Sequence, residues 1–329
     1  MVTPSTSWAE RIQPDEAERH AQAARRFVEM QQAKSAKYGN GRALHRKPVL
    51  ALRATLRVHD KLPAHAAHGL FASPGDHETW VRLSNGGPEV KQDRAPDIRG
   101  FSLRVLGVDG PSALGGPATC QDFALINQPA FAFADSKPFV ELVMAAAKGP
   151  AHVLPWAFKT FGPIGMFPAL KRLAGSVGAP FSGFAAERFF SATPLSCGPY
   201  AVRVRLLPPA GQKAPATAPV HWGDDMKARL SQGPLAYRLQ LQFFVDEART
   251  PIEDASVDWP DSVAPYLDVA DLVIEPQDFA SAEAHVFAEQ VERAVFDPWA
   301  ALAAHRPLGE VMRARKAAYF ASQQARGVS

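Results

Sequence analysis

The chain has 329 residues, 47% apolar and 21% charged, with a formal net charge of +3, values that suit a globular protein with a large core and exclude disordered and fibrous classes. Lys and Arg are spread along the chain, which disfavours a nucleic-acid role, and the two cysteines, Cys120 and Cys197, form no CxxC pair, which excludes a cysteine-rich metal site and suits a reducing compartment. Residues 1–11 lack the basic and apolar regions of a signal peptide, and no stretch reads as a membrane span, so a cytoplasmic protein is expected.

Residues 1–40 read as a helical arm. Pro14 and Asp15 open a helix, the run to Lys37 carries a thin apolar stripe of Ala21, Ala24, Phe27, Val28 and Met30, and Tyr38-Gly39-Asn40-Gly41 ends it. The arm is expected to pack on the body or on a second subunit of a homo-oligomer. Residues 41–329 read as one domain. Strands are expected at Leu50–Val58, Thr79–Ser84, Gly100–Leu106 and Asp122–Ile126, with turns at Pro63, Pro74-Gly75, Gly86-Gly87-Pro88 and Asp109-Gly110-Pro111 between them. Tyr200–Leu207 and Tyr237–Val245 add two more, the latter alternating Leu239, Leu241, Phe243 and Val245 with polar residues. Short turns between strands argue for antiparallel pairing, and six or more strands for a closed or nearly closed barrel.

A helical insertion interrupts the strands over about 138–190. Its side chains Trp156, Phe158, Phe161, Ile164, Met166, Phe167 and Leu170 exceed what one core face needs, either because the helices are buried over the barrel or because they form an apolar route to a site. Residues 208–219 read as a loop, and helices are expected again over 281–326, one opening at Ser281 and the last spanning Glu310–Arg326. The fold class is therefore α+β: an antiparallel β-barrel with a helical insertion, an N-terminal helical arm and C-terminal helices.

The chemistry gathers in three places. On the last helix Arg315 and Tyr319 are four residues apart and share a face, so the guanidinium can reach the phenol and favour its anionic form. A phenolate is a ligand for ferric haem. His45 follows the turn Gly41-Arg42 just ahead of a strand, where neutral imidazole can take and return a proton. Between them lies Asn127-Gln128-Pro129.

Arg42-Ala43-Leu44-His45-Arg46-Lys47 resembles the Arg-Val-Val-His-Ala-Lys segment that carries the distal histidine of haem catalases. Trp80-Val81-Arg82-Leu83-Ser84-Asn85 and Asp97-Ile98-Arg99-Gly100-Phe101-Ser102 resemble that family's Val-Arg-Phe-Ser and Asp-Pro-Arg-Gly-Phe-Ala strands. Asp122–Phe131 is similar to the segment ending Asn-Asn-Thr-Pro-Val-Phe, Glu289–Pro298 to the Glu-Val-Glu-Gln-Ala-Ala-Phe-Ser-Pro helix, and Arg315 to Tyr319 falls on the Arg-x-x-x-Tyr of the proximal ligand. All six occur in family order. Pro48 stands where the family has glycine, and the sequence stops ten residues after Tyr319, where full-size catalases continue into a helical region. The run Phe296–Arg315 resembles instead the small catalase-related bacterial haem proteins.

The resemblance implies haem b with Tyr319 as the iron ligand, supported by Arg315. His45 and Asn127 would act on the bound peroxide, Ser84 would fix the histidine's tautomer, and Phe131 would lie near the haem. Arg42, Arg82 and Arg313 would meet the haem carboxylates. It implies a peroxidase acting on organic hydroperoxides, hydrogen peroxide or both, with an electron donor that the sequence does not name. Two alternatives stand beside it: a haem carrier or sensor with little turnover, and an isomerase or dehydratase of fatty-acid hydroperoxides.

Overall fold

The computed structural model describes residues 3–328. Its centre is a closed antiparallel barrel built from β1 (Pro48–Val58), β2 (Gly75–Asn85), β3 (Arg99–Leu106), β4 (Cys120–Ile126), β5 (Phe189–Phe190), β6 (Leu195–Cys197), β7 (Tyr200–Leu207), β8 (Leu235–Phe243) and β9 (Tyr266–Ile274). Neighbours run β5-β4-β3-β2-β1-β9-β8-β7-β6, and β5 also pairs with β7 through Phe189↔Leu206, which closes an eight-stranded ring and leaves β6 as a short partner of β7. Closure gives the ring strands a partner on either side and so removes open edges. The inward residues recur every second position: Leu52 and Leu56 on β1, Val81 and Leu83 on β2, Phe101, Leu103 and Val105 on β3, Leu239 and Leu241 on β8 are all fully buried. Each such side chain contributes about 1.5–3 kcal/mol by burial, so these strands hold the scaffold that carries the loops around the site.

Strand β9 was not among the expected strands, and its own irregularity is the reason. Opposite Leu239/Gln240 its register passes from Ala270 to Asp268, a bulge that breaks the alternation, while Asp268 and Asp271 point outward to Arg238. The short β5 and β6 offer too few residues to show a period.

Among the described residues six α-helices surround the barrel: α1 (Glu16–Tyr38), α2 (Ser136–Lys148), α3 (Val153–Gly178), α4 (Trp222–Leu230), α5 (Ala282–Arg293) and α6 (Glu310–Arg326). α1 is the expected arm, and it packs on the body: Ala23, Phe27 and Met30 join Ala43 and Val140 in a satellite core. Ser281 caps α5 by accepting the Ala284 N–H at 3.2 Å. α6 starts at Gly309, whose φ of 85° and whose approach to Ile252 O, 2.5 Å from where a Cβ would sit, leave room only for glycine. The Gly309 and Glu310 N–H groups donate to the carboxylates of Glu10 and Glu253, so anions sit on the positive end of the helix that carries Tyr319.

The insertion settles the question of its surplus apolar residues by splitting them. Trp156 is buried against Phe133, and Phe161, Met166 and Leu170 pack half-buried on the same cluster, as helices covering the barrel would. Phe158, Ile164 and Phe167 turn outward and are 55%, 88% and 69% exposed. Gly162, at φ 71° with Pro163 behind it, kinks α3 between its two halves.

A buried histidine outside the site ties the fold to pH. His305 is 1% exposed; its Nε2 accepts the Leu70 N–H at 3.0 Å and its Nδ1 donates to Ser196 O at 3.2 Å, which fixes the neutral form. Burial lowers its pKa from 6.5 to about 4. The unfolded chain therefore takes up this proton near pH 6.5 and the folded chain only near 4. The stabilisation is complete above 6.5 and is lost as pH falls toward 4, at about 1.4 kcal/mol per unit. Urea unfolding is expected to show that decline, with a shallower slope in His305→Gln; an unchanged slope would remove His305 as its source.

Candidate functional site

The site is built where the starts of β1 and β3, the ends of β2 and β4 and helices α5 and α6 meet. His45 precedes β1 with φ 49°, a conformation that non-glycine residues adopt at a cost and that the surroundings impose: its N–H donates to Gly86 O at 2.8 Å and its carbonyl accepts from Arg82 Nη2 at 2.9 Å. The ring lies over Gly100, where an added Cβ would be 2.5 Å from Nδ1 and 2.6 Å from Ser84 Oγ. Nδ1 is 3.0 Å from Ser84 Oγ. With the serine oxygen as acceptor, Nδ1 carries the proton and Nε2 keeps a lone pair. The protein packed around the ring, and then the charges of Arg82, Arg315 and Arg42, lower its pKa to about 3, so it stays neutral across the physiological range.

Asn127 follows directly after β4, and its N–H donates to the carbonyl of Arg99, the neighbour of the same glycine, at 3.2 Å. Its Oδ1 accepts the Arg99 N–H at 2.8 Å, and among the described residues its NH2 donates to no protein group, which leaves that donor for a ligand. Phe131 follows four residues on and meets the Phe139 ring at 4.8 Å.

On α6, Arg315 Nη2 donates to Tyr319 Oη at 2.9 Å, the contact that the i,i+4 spacing predicts. Around the end of α5 three arginines converge on Glu292, two on its carboxylate and one on its backbone carbonyl. Arg82 reaches both oxygens of Glu292 at 3.0 Å, Arg42 bonds the same carboxylate and the carbonyls of Glu292 and Ala294, and Arg326 Nη1 is 3.4 Å from Glu292 O. Burial first, and the neighbouring Arg82 next, press the Arg42 guanidinium well below its ordinary pKa. Arg326 Nε is buried with no hydrogen-bond partner.

Arg313 is the sequence-predicted residue that the structure does not bring here. Two residues from Arg315 on a helix means about 200° around it. Its guanidinium points away into three carboxylates: Glu16 at 2.7 Å, Glu10 at 2.6 Å and Glu253 at 3.0 Å. It fastens the arm to α6, and a haem carboxylate has no access to it. Glu292 and Arg326 are the members that sequence reasoning missed. Arg326 is seven residues from Tyr319, two turns along the same face, a spacing that could have disclosed it.

No protein-family model matches the chain, and no curated protein matches it. Solved structures do. Catalase A from Saccharomyces cerevisiae superposes with a TM-score of 0.68 at 16% identity, over 90% of this chain and 64% of that one. The fold is that of the catalases. A fungal catalase gives 0.65 at 17% identity over 84% of this chain and 57% of the other, and a bacterial catalase 0.64 at 15% over 99% and 63%. The chain thus spans less than two thirds of each catalase. Among the described residues no helix is long and apolar enough to cross a membrane.

Whether haem suits this example of the catalase fold is a question for its own residues. Two guanidiniums, of Arg42 and Arg82, share one carboxylate, and a third, of Arg326, meets only the backbone carbonyl of the same residue and holds a buried N–H without a partner, an arrangement that two further carboxylates would complete. A phenol oriented by a guanidinium offers a hard oxygen ligand for ferric iron. The residues fit the group.

Proposed function

We propose that the chain binds haem through Tyr319 and reduces hydroperoxides with it. The observation that carries this reading is the paired arrangement itself: a guanidinium-held phenol on α6, and a neutral, serine-anchored histidine beside a free amide donor at the barrel end. Arg42, Arg82 and Arg326 would hold the haem carboxylates and Tyr319 the iron. When bound, the haem supplies the two electrons that cleave the O–O bond and is restored by an outside reductant.

The protein's own groups handle the proton. His45 Nε2 takes it from the hydroperoxide's inner oxygen and returns it to the outer one, so that the leaving group departs as neutral water or alcohol. Asn127 holds the peroxide by its NH2 without a charge that titrates. Ser84 keeps the ring's proton on Nδ1, and Arg315 holds and orients the oxygen of Tyr319 by donating to it. A carrier or sensor would need the proximal half alone, and the distal pair of His45 and Asn127 is what favours turnover over storage.

The apolar cluster of Phe131, Phe133, Phe161 and Met166 begins four residues after Asn127 in the chain and favours alkyl over hydrogen peroxide as substrate. Efficiency with a series of alkyl hydroperoxides is expected to rise with chain length, by at most about fourfold per methylene that becomes buried. Stopped-flow absorbance of the haem-loaded protein, with a reductant present, measures it. Met166→Gln should flatten the rise without changing the resting haem spectrum. A flat dependence in the parent, together with rapid oxygen release from hydrogen peroxide, points to ordinary catalase turnover; a spectrum indifferent to every peroxide points to a carrier.

A further inference from the structure

Between Glu141 and Glu187 the chain has no acidic residue, although 33 of its 329 residues are Asp or Glu and a stretch of this length would ordinarily hold several. It has four basic ones, Lys148, Lys159, Lys171 and Arg172, all exposed. In the same stretch α3 presents Leu154, Phe158, Ile164, Phe167 and Val177 to solvent, and Ile164 is the most exposed large apolar side chain of the described residues. Exposed Phe, Leu and Ile placed next to Lys and Arg, with anions excluded, is the composition of a helix that lies in a membrane interface. Phe158 adjoins Lys159, and Phe167 is one turn from Lys171, so each apolar side chain can enter the acyl layer while a neighbouring cation reaches the headgroups. Among the described residues no helix is long and apolar enough to cross a membrane, and the kink at Gly162 divides α3 into two shorter halves.

We infer that the outer face of α3 docks on an anionic phospholipid surface. Positive charge without any negative selects that occupant: a second copy of the chain would bring the same four cations against themselves, and a neutral apolar partner gives the missing carboxylates no reason. The inner face of α3 gives the docking a use, which rests on the proposed hydroperoxide reaction. Phe161, Met166 and Leu170 pack on Phe131 and Phe133, and Ser176 O accepts from the side chain of Gln128, the neighbour of Asn127. α3 therefore lies between the lipid and the distal side of the site, and the substrate class it serves is the hydroperoxide of a phospholipid or fatty acid taken from the bilayer.

The test is co-sedimentation of the full haem-loaded chain with vesicles of phosphatidylcholine alone and of phosphatidylcholine with phosphatidylglycerol. Binding is expected on the mixed vesicles, at least tenfold tighter than on the neutral ones, and weakened by about fivefold for each of Lys159, Lys171 and Arg172 replaced by Gln. The triple variant Phe158→Asp/Ile164→Asp/Phe167→Asp, which alters exposed side chains only, should abolish it with haem content and melting temperature unchanged. If that variant unfolds, Phe158→Ser/Ile164→Ser replaces it. Equal binding to both vesicles, no binding, or binding unmoved by these substitutions overturns the inference. So does a parent dimer that becomes monomeric in the triple variant and ignores vesicles, since a second copy then covers the face. The vesicle measurement needs no peroxide, so it decides even if turnover fails. With turnover, reduction of a vesicle-borne lipid hydroperoxide should fall at least tenfold in the triple variant while a small water-soluble hydroperoxide is reduced as before.

Discussion

Tyr319→Phe is expected to yield a folded protein that purifies almost free of haem. The substitution removes one oxygen, and among the described residues the only protein hydrogen bond of that oxygen is the one from Arg315, so the change to the apo fold is small. The change to iron binding is not small, because phenylalanine offers no ligand atom. Arg315→Met supplies the graded comparison. Removing a partner that orients a metal ligand typically costs about 10–100-fold in affinity, and losing the ligand itself should exceed that. Haem titration followed by absorbance would measure both. A Tyr319→Phe protein with full haem content and an unshifted spectrum would show that the iron is held elsewhere, and with that the proximal half of the site would be lost.

Some of this was legible in the sequence because it is local. The Arg315–Tyr319 contact follows from helical spacing, the barrel strands from alternation over β1, β3, β7 and β8, and the last helix from a run without Gly or Pro. What escaped was set by distant chain. The partners of Arg313 come from residues 10, 16 and 253, and nothing near position 313 announces them; its neighbour Arg315 was the better guide to the face that matters. Glu292 lay inside a segment already recognised, yet its role as the shared anion of Arg42 and Arg82, with Arg326 on its backbone carbonyl, needs the end of α5 brought against β2 and α6. The outward half of α3 was also out of reach, since an apolar residue in a sequence says nothing of which side faces water. The barrel's bulged β9 failed for the opposite reason: a local irregularity hid a strand that the global pairing requires.

On the distal side, His45→Ala is expected to keep haem and lose about 10²–10⁴-fold in the rate of reaction with hydroperoxide, the usual share of a positioned general acid–base group. Its ring reaches protein through Ser84 and Gly100 and holds no part of the arginine cluster by its side chain, so haem affinity should move little. The pH dependence separates this role from a passive one. An imidazole with its ordinary pKa near 6.5 would lose its base form, and the rate would fall tenfold per unit below that. With the pKa lowered to about 3, by burial before charge, the base form persists, and the rate should stay level from pH 8 down to about 5. Haem carboxylates would offset the contribution of the arginines and leave that of burial. Ser84→Ala tests the anchor: it frees the tautomer and should lower the rate by less than His45→Ala while keeping the flat profile. A His45→Ala protein that reacts within about threefold of the parent would fall below any general acid–base contribution and take His45 out of the mechanism.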